Sequence, residues 1–338
     1  MVVDNSFYMK LALDEAWKYQ GLTYPNPAVG CAIVSGSGEL LSVEAHKRAG
    51  QAHAEVNALK SAYYKLTNDE SILELEASND IHTFLLNNHN NIFSDTIVYT
   101  TLEPCSHTGK TPSCASLLSK LNVAKVYVGS RDFNDEASNG NALLKESNIE
   151  VFNDLLANEC DSLLEPFKKF QTNGFVFFKW AQRLNGTVDH GIITSKHSRE
   201  LVHQMRDVCD LMVVGGDTVR IDRPTLDARL ANGKAPDILI YSRQKEFDKT
   251  IPVFNVEGRK VIISDSLDEV KKYKNVMIEG GAKMYALTHD ITDMYLTFIA
   301  PKLGGCVGMQ DIDNEFEILN IHQETQDIIM WMKKRDNK

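Results

Sequence analysis

The chain has 338 residues, of which 43% are hydrophobic and 24% are charged, and its formal net charge is −10 at pH 7. This composition is that of a globular protein, and at roughly 150 residues per domain the length predicts about two domains. The acidic balance argues against binding nucleic acid through its phosphates, and no apolar run reaches the ~18 residues of a membrane span. The first ten residues lack the basic and apolar blocks of a secretory signal, so we expect a cytoplasmic protein that binds neither nucleic acid nor membrane.

The first half of the chain predicts alternating helices and strands. Apolar residues recur at helical spacing over 7–20, a buried strand follows at 29–34, and a turn at 36–39 leads into a returning strand at 40–45. The next predicted elements are a helix from 53, a strand at 96–100, a helix at 114–121 and a strand at 125–129. This order predicts a three-layer α/β/α domain with helices on the faces of one sheet.

Two segments interrupt this alternation. Residues 61–95 are rich in asparagine but also carry apolar residues at helical spacing, and we interpret them as a surface insertion with some helix. The sequence of residues 141–172 is typical of a helix-rich segment that connects two domains. The predicted domains are therefore 1–146 and 173–338, with a linker over 147–172.

The second half again alternates strands with helices. Strands are predicted at 175–180, 211–214, 238–241, 260–264, 276–279 and 294–300, with a helix at 198–208 between the first two. Glycine pairs follow two of these strands, at Gly215-Gly216 and Gly280-Gly281, and backbone N–H groups in such turns suit a pyrophosphate. We therefore predict an α/β domain that binds a nucleotide, although the Gly-x-Gly-x-x-Gly fingerprint of the common dinucleotide fold is missing.

Three candidate metal ligands and one spare carboxylate lie in the first half. His53 and Glu55 stand at one predicted helix start, and Cys105 and Cys114 lie around the next. One imidazole and two thiolates leave one position of a tetrahedral zinc ion open, which is typical of a catalytic site. Glu55 is then free to move protons while the metal activates a water, as in zinc deaminases.

The spacing of the two cysteines is wider than the Pro-Cys-x-x-Cys of many deaminases. Residues 106–113 separate them, and these include His107 and Lys110 beside a turn at Gly109. Fixed cations and donors of this kind bind phosphate. We therefore interpret the widened cysteine loop as the part of the pocket that faces a phosphate of the substrate.

Two other functions fit parts of this pattern. One is a zinc deaminase of free or tRNA nucleobases whose second domain has no redox chemistry, and the acidic balance and the cysteine loop argue against it. The other is a structural zinc module in a binding protein. Glu55 argues against that module, because a structural site has no use for a carboxylate that does not bind the metal.

The motifs resemble those of the bifunctional deaminase/reductase family of riboflavin biosynthesis. The matching stretches are 26–31, 53–55 and 101–114 in the first half, and 179–181, 184–186, 199–206, 218–219, 222–229, 279–282 and 300–305 in the second. The resemblance implies a cytidine-deaminase-like three-layer α/β/α domain followed by a dihydrofolate-reductase-like α/β domain. It also implies the cofactors Zn²⁺ and NADPH and a small pyrimidine ribotide as substrate. The resemblance allows a homo-oligomer but does not fix the number of subunits.

The activity that the resemblance implies has two steps. The first is hydrolytic deamination of 2,5-diamino-6-(5-phosphoribosylamino)pyrimidin-4(3H)-one, and the second is reduction of its ribosyl side chain to ribityl with NADPH. In the deaminase site the resemblance implies metal ligands His53, Cys105 and Cys114, the catalytic residue Glu55, and substrate contacts from Asn26, His46, Ser106, His107 and Lys110. In the reductase site it implies NADPH contacts from Ala181, Thr194, Thr218, Asp222 and Gly281, and substrate contacts from Arg206, Leu226, Arg229 and Glu279.

The chain departs from the family pattern at a few positions. Ser113 stands where a second proline is usual, and Asn185 stands where aspartate is usual. The loop over 185–192 is also shorter than in the family. The resemblance places that loop near the nicotinamide, so the reductase site carries the departures that matter most.

Overall fold

The computed structural model describes residues 3–107, 111–132, 139–189, 191–309 and 312–335. The chain divides into two compact units, Met1–Glu165 and Pro166–Lys338. No helix in the described part of the chain combines the length and the apolar character that a membrane crossing needs.

The first unit is built on a five-stranded sheet. Its strands are β1 (Gly30–Val34), β2 (Leu40–Ala45), β3 (Ile97–Leu102), β4 (Lys125–Ser130) and β5 (Glu150–Phe152), in the order β2-β1-β3-β4-β5. The helices are α1 (Asn5–Trp17), α2 (Ala54–Thr67), α3 (Ser78–Asn88), α4 (Cys114–Lys120), α5 (Gly140–Glu146) and the first part of α6 (Ala157–Gln171), which the unit boundary after Glu165 divides. The elements predicted from 7 to 129 are therefore present, in the predicted order.

Burial on both faces of the sheet explains the apolar strand sequences. All five residues of β1 are buried, as expected for a strand with helices on both sides. α1 packs so closely on β1 that a Cβ on Gly30 would lie 1.9 Å from the carbonyl oxygen of Ala12. The segment predicted as a linker contains β5 and α6, and β5 pairs with β4 in the same sheet. The domain limits drawn from the sequence stay a prediction.

The expectation that residues 61–95 decorate the surface is wrong, although their helical part is confirmed. α2 continues to Thr67 and α3 follows within the segment. Four large apolar side chains of the segment are fully buried in the core of the first unit, namely Ile72, Ile81, Leu85 and Phe93. The asparagines lie between these positions. The average composition of the segment is therefore polar, although these four apolar side chains are buried.

We expect Leu85→Ala to lower the free energy of unfolding of the first unit by about 2–5 kcal/mol, because the truncation leaves a cavity in a packed core. Leu73→Ala is the matched control, since Leu73 is 46% exposed in the same segment and should change stability by no more than about 0.5 kcal/mol. Urea denaturation followed by circular dichroism measures both. Equal effects of the two substitutions would contradict a core role for this segment.

The second unit is built on an eight-stranded sheet. Its strands are β6 (Phe175–Arg183), β7 (Leu211–Gly215), β8 (Asp237–Tyr241), β9 (Val261–Ser264), β10 (Asn275–Glu279), β11 (Met294–Ala300), β12 (Phe316–Glu324) and β13 (Asp327–Lys334). Its α-helices within the described residues are α7 (Lys196–Val208), α8 (Gly216–Asp222) and α9 (Ala282–Thr288). The order is β12-β13-β11-β6-β10-β7-β8-β9, with β13 antiparallel to β11. The sequence predicted β6 to β11 but not the terminal hairpin.

The strand order places two glycine turns at one edge of this sheet. β10 lies between β6 and β7 and is parallel to both. The turns Gly215-Gly216 and Gly280-Gly281 follow β7 and β10, so they lie at neighbouring carboxyl ends. Ligands of open α/β sheets bind at this edge. The fold thus places the predicted reductase site where a cofactor and a substrate can reach it.

Candidate active sites

Three ligand atoms converge in the first unit. His53 is the N-cap of α2, Cys105 follows β3, and Cys114 is the first residue of α4. Nδ1 of His53 lies 3.7 Å from Sγ of Cys105 and 3.4 Å from Sγ of Cys114. Zinc bonds of ~2.0 Å to nitrogen and ~2.3 Å to sulfur, at tetrahedral angles, separate two ligand atoms by about 3.6 Å. The three residues therefore fit a tetrahedral zinc ion with one position left for water.

The second nitrogen of His53 is held by a residue that the sequence did not single out. Nε2 of His53 lies 3.3 Å from Oγ1 of Thr111, which is buried. When Nδ1 of His53 binds the metal, the ring proton lies on Nε2, which then donates to the hydroxyl oxygen. Thr111 belongs to the widened cysteine loop, and that position was the available signal for its role.

We expect Thr111→Val to weaken zinc binding by about 10- to 100-fold, because the isosteric side chain no longer fixes the imidazole. Competition with a chelator, with released zinc followed by a metal-sensitive dye, measures this affinity without any assay of activity. Thr111→Ser keeps the hydroxyl and should retain tight binding. Equal zinc affinities of the valine variant and the unaltered protein would show that Thr111 does not orient His53.

The Cys105 side chain lies in surroundings that favour the metal-binding thiolate. The backbone N–H of Cys114, at the start of α4, lies 3.4 Å from Sγ of Cys105. The hydrogen bond from the Cys114 thiol, together with His53, lowers the pKa of the Cys105 thiol. Thiolates are the form that binds zinc, so Cys105 is disposed to bind the metal. The same hydrogen bond, together with burial, raises the pKa of the Cys114 thiol, which therefore has to lose its proton when the metal binds.

Glu55 lies in the first turn of α2 and is almost completely buried, with 4% of its surface exposed. It hydrogen bonds with the Cys114 side chain, so it belongs to the site without being one of the three clustered ligands. Burial raises the pKa of the Glu55 carboxyl, which brings its protonated form closer to neutral pH. A carboxyl group in this state can both accept and return a proton.

Asn26 and His46 form a hydrogen-bonded pair beside His53. Nε2 of His46 lies 3.0 Å from Nδ2 of Asn26, and Nδ1 lies 3.0 Å from the carbonyl oxygen of Ala52. Burial lowers the pKa of His46 to about 4, so its ring is neutral at pH 7. Nδ1 then carries the proton and donates to Ala52, while Nε2 accepts from the Asn26 amide. This arrangement leaves Oδ1 of Asn26 as the atom that can accept a hydrogen bond from a substrate amine.

The structure covers the other deaminase residues unevenly. Ser106 is half-buried and His107 is exposed, and both follow directly after Cys105. Lys110 lies outside the described residues. The His46 and His53 rings lie edge to face, with centroids 5.4 Å apart, so the Asn26–His46 pair borders the metal cluster.

A charged network joins the middle of β6 to the carboxyl end of β10 in the second unit. Glu279 is paired in register with Lys179, and its carboxylate accepts from Nζ of Lys179 at 2.7 Å and from Nη2 of Arg206 at 3.1 Å. Burial opposes ionisation, but the two cations lower the pKa of Glu279 to about 2. The sequence analysis did not assign Lys179 a role, although a lysine inside an apolar strand was a usable signal.

The network continues into the loop after α8. Nη1 of Arg206 donates to the backbone carbonyl of Asp227 at 3.3 Å, and Nη1 of Arg229 donates to the Asp227 carboxylate at 2.7 Å. Leu226, next to Asp227, is buried and has a left-handed backbone with φ of 55°. The four predicted substrate residues of this unit therefore lie in one connected region, because Arg206 links Glu279 to the loop that carries Leu226 and Arg229.

The five residues predicted for NADPH are less closely joined. Ala181 lies near the end of β6, Thr194 precedes the N-cap Ser195 of α7, and Thr218 and Asp222 lie in α8. Gly281 is the N-cap of α9. Within the described part of the chain, no hydrogen bond joins these five residues to one another. They are related by their positions at or after the carboxyl ends of the parallel strands.

Asn185 has a definite structural role. Its Nδ2 donates to the carbonyl oxygen of Gly304 at 2.9 Å, and its Oδ1 accepts from the Thr187 hydroxyl at 3.3 Å. An ionised aspartate has no donor for that carbonyl, so it would lose this bond, although the Thr187 hydroxyl also donates to the Gly304 carbonyl oxygen. The loop also places Val188 beside Gly281, since a Cβ built on Gly281 would lie 3.7 Å from the Val188 side chain. The shortened loop therefore borders the second glycine turn.

Two family models match the chain. The cytidine and deoxycytidylate deaminase zinc-binding region matches residues 3–130, and the RibD C-terminal domain matches residues 175–329. The riboflavin biosynthesis protein RibD of Actinobacillus pleuropneumoniae is 30% identical, over 88% of this chain and 84% of that protein. The chain belongs to the RibD family of riboflavin biosynthesis proteins. The Aquifex aeolicus RibD protein is 28% identical, over 97% of this chain and 98% of the relative.

Solved structures of RibD proteins agree with this membership. One is the diaminohydroxyphosphoribosylaminopyrimidine deaminase/5-amino-6-(5-phosphoribosylamino)uracil reductase of Thermotoga maritima, at 26% identity, 98% coverage of each chain and a TM-score of 0.62. Another is the Acinetobacter baumannii RibD, form 1, at 25% identity, 98% and 99% coverage and a TM-score of 0.61. The family assignment, the fold class of two α/β domains and the enzyme class of a deaminase joined to a reductase are confirmed.

RibD membership also decides between the functions that the sequence left open. The match over 175–329 favours a reductase domain over a second domain without redox chemistry. The zinc-binding region and the His53–Cys105–Cys114 cluster confirm zinc as a cofactor. The roles of the individual site residues, the cytoplasmic location and the oligomeric state stay predictions.

Proposed function

We propose that this chain removes an amino group from 2,5-diamino-6-(5-phosphoribosylamino)pyrimidin-4(3H)-one and then reduces the ribosyl side chain of the product to ribityl with NADPH. The first unit would perform the deamination and the second the reduction. The observation that carries the proposal is Glu55, a buried carboxyl beside the metal cluster that is not one of its ligands. RibD membership supports the pairing of this site with a reductase domain.

The deamination is a hydrolysis that Glu55 is placed to assist. Zinc, when bound by His53, Cys105 and Cys114, would supply an activated water. Glu55 would take one proton from that water and deliver it to the ring nitrogen, and would later carry the remaining proton of the added hydroxyl group to the leaving amine. The carbon–nitrogen bond breaks as a carbon–oxygen bond forms, and the products are ammonia and the pyrimidinedione. The raised pKa of Glu55 supports a group that carries the proton between these steps.

The remaining first-unit residues would orient the substrate. Oδ1 of Asn26 would accept from a ring amine, because the neutral His46 ring holds the amide nitrogen on the other side. Ser106, His107 and Lys110 follow Cys105 in the widened loop and would contact the phosphoribosyl arm. A flexible phosphate needs such donors if the ring is to stay fixed over the metal.

The reduction would take place at the carboxyl ends of β6, β7 and β10. Arg206 and Arg229 would bind the phosphate dianion, since guanidinium groups offer paired donors at fixed charge. Glu279 and Leu226 would border the ribose, with Glu279 held as a carboxylate by its cationic partners. One hydride and one proton convert the ribosylamino group to ribitylamino, and NADPH supplies the hydride.

The NADPH site would lie beside this substrate region. Ala181, Thr194, Thr218 and Asp222 would line it together with the turn at Gly281. The glycine turns after β7 and β10 support this placement, because their backbone N–H groups suit a pyrophosphate and neither α8 nor α9 has a side-chain cap. The two glycine turns then frame the cofactor at the same edge as the ribotide.

The test supplies the zinc-loaded protein with the diaminopyrimidine ribotide and follows ammonia release and NADPH absorbance separately. Ammonia should appear with or without NADPH, and NADPH should be consumed only when the ribotide is present. Ammonia release without any NADPH oxidation would leave a deaminase alone and defeat the second half of the proposal. NADPH oxidation without ammonia release would defeat the first half.

A further inference from the structure

Arg259 holds the backbone of a loop in the second unit with three hydrogen bonds. Its Nη2 donates to the carbonyl oxygens of Thr225, at 2.6 Å, and Val253, at 2.7 Å. Its Nη1 donates to the carbonyl oxygen of Leu226 at 2.7 Å. All three are short bonds from a charged donor to a backbone acceptor, which is the stronger class of hydrogen bond.

The loop that Arg259 holds is the one that carries predicted substrate residues. Leu226 has a φ of 55°, a backbone region that leucine adopts at a cost and keeps only when its surroundings hold it there. The next residue, Asp227, contacts Arg206 through its carbonyl and Arg229 through its carboxylate. A shift of the Thr225–Leu226 turn would therefore displace Asp227, and with it the contact that sets the position of Arg229 relative to Arg206.

The two segments joined by Arg259 lie apart in sequence. Val253 belongs to a 3-10 turn, Pro252–Asn255, whereas Thr225 and Leu226 follow α8. The planar guanidinium group of arginine has donors on both terminal nitrogens, so it can bind three carbonyl oxygens that lie in different directions. Lysine has a single terminal nitrogen and cannot reproduce this geometry. Arg259 lies within the 175–329 family match but outside the short motifs that the sequence pointed to, so its role is argued from these contacts.

We propose that Arg259 is a positioning residue of the reductase site, which holds the Thr225–Leu226 turn so that Arg206 and Arg229 converge on the phosphate of the ribotide. This inference rests on the proposed function of the second unit. Arg259 does not touch the substrate in this arrangement. Its loss should raise the KM for the ribotide more than it lowers kcat, because the turn it holds carries phosphate-binding groups and not the reacting carbon.

The experiment compares Arg259→Met and Arg259→Lys with Arg335→Met, which removes an exposed arginine of the same unit. For Arg259→Met we expect the KM for the deaminated ribotide to rise about 10- to 100-fold, with kcat, the KM for NADPH and ammonia release changed by less than about threefold. Arg259→Lys should fall between, and Arg335→Met should match the unaltered protein. Hydrogen–deuterium exchange of residues 222–229 should be faster in Arg259→Met.

Each outcome decides a separate point. An unchanged ribotide KM in Arg259→Met, with the unaltered protein active, would overturn the inference. A parallel loss of kcat, ammonia release and melting temperature would also overturn it, because it would show a general loss of stability. If the unaltered protein does not oxidise NADPH, the proposed function of the second unit fails. In that case hydrogen–deuterium exchange of residues 222–229 is the remaining test. Faster exchange in Arg259→Met supports the positioning role, and unchanged exchange refutes it.

Discussion

Replacing Glu55 with glutamine should lower the rate of ammonia release by about 10²- to 10⁴-fold, which is the usual contribution of a positioned general acid–base group. The amide has nearly the same shape and keeps the buried position, but it cannot carry a proton between water and the leaving amine. Because Glu55 is not one of the clustered ligands, the variant should still bind one zinc per chain. NADPH oxidation with a substrate that is already deaminated should be unchanged.

Three measurements check this prediction together: ammonia release, zinc content and NADPH oxidation on the deaminated ribotide. Glu44→Gln is the matched control, since Glu44 lies in the same unit, accepts from Ser61 and is not one of the clustered ligands. It should release ammonia at the normal rate. Normal ammonia release by Glu55→Gln would remove the catalytic assignment, and loss of zinc from that variant would show that Glu55 acts through the metal site instead.

Replacing Lys179 with methionine should lower kcat/KM for the reduction by about 30-fold or more, because truncating one partner of a buried charged pair costs about 2 kcal/mol or more. Lys179 is 9% exposed, and its Nζ lies 2.7 Å from the Glu279 carboxylate. Without it, Arg206 is the only cation left on Glu279 among the described contacts of that carboxylate. The predicted substrate residues then lose their geometry, while ammonia release should not change.

The same substitution should change the pH profile of the reduction. In the unaltered protein the pKa of Glu279 is about 2, below its ordinary value of 4.5. The carboxylate therefore stabilises the fold above pH 4.5, and this contribution is lost as the pH falls towards 2. In Lys179→Met the pKa of Glu279 should rise, so reduction should fall at a higher pH. Lys272→Met, an exposed control, should leave the profile in place, and a profile unchanged in Lys179→Met would contradict the role given to this pair.

Local patterns explain what could be predicted of the fold. The first four strands of the first half and the parallel strands of the second are apolar runs bounded by turns, and each pattern lies within a few neighbouring residues. The short strand β5 has no such run and was not predicted. The terminal hairpin was missed because β12, from Phe316 to Glu324, mixes charged and apolar residues on a largely exposed strand. Residues 61–95 were taken for surface because burial depends on contacts with the rest of the chain, which composition does not show.

The same distinction holds for the sites. His53, Glu55, Cys105 and Cys114 could be found because their spacing is itself the signal of a zinc deaminase. The ion pair between Lys179 and Glu279 could not be found in this way, because 100 residues separate its partners in the sequence.

Arg259 is the clearest case of a residue that sequence reasoning cannot reach. Its partners are backbone carbonyls, two of them more than 30 positions away, and a carbonyl has no residue identity for a pattern to detect. Its role became visible only when the fold brought the 3-10 turn near the loop after α8.

Mass spectrometry of the products tests most directly whether one chain deaminates first and reduces second. The zinc-loaded protein is given the diaminopyrimidine ribotide, first without NADPH and then with it. Without NADPH, the product should carry a carbonyl oxygen in place of one amino group and an intact ribosyl side chain. With NADPH, the same deaminated ring should carry two additional hydrogens on that side chain. A product that has gained the two hydrogens while both amino groups remain would contradict this order, and an unchanged ribotide would contradict the function itself.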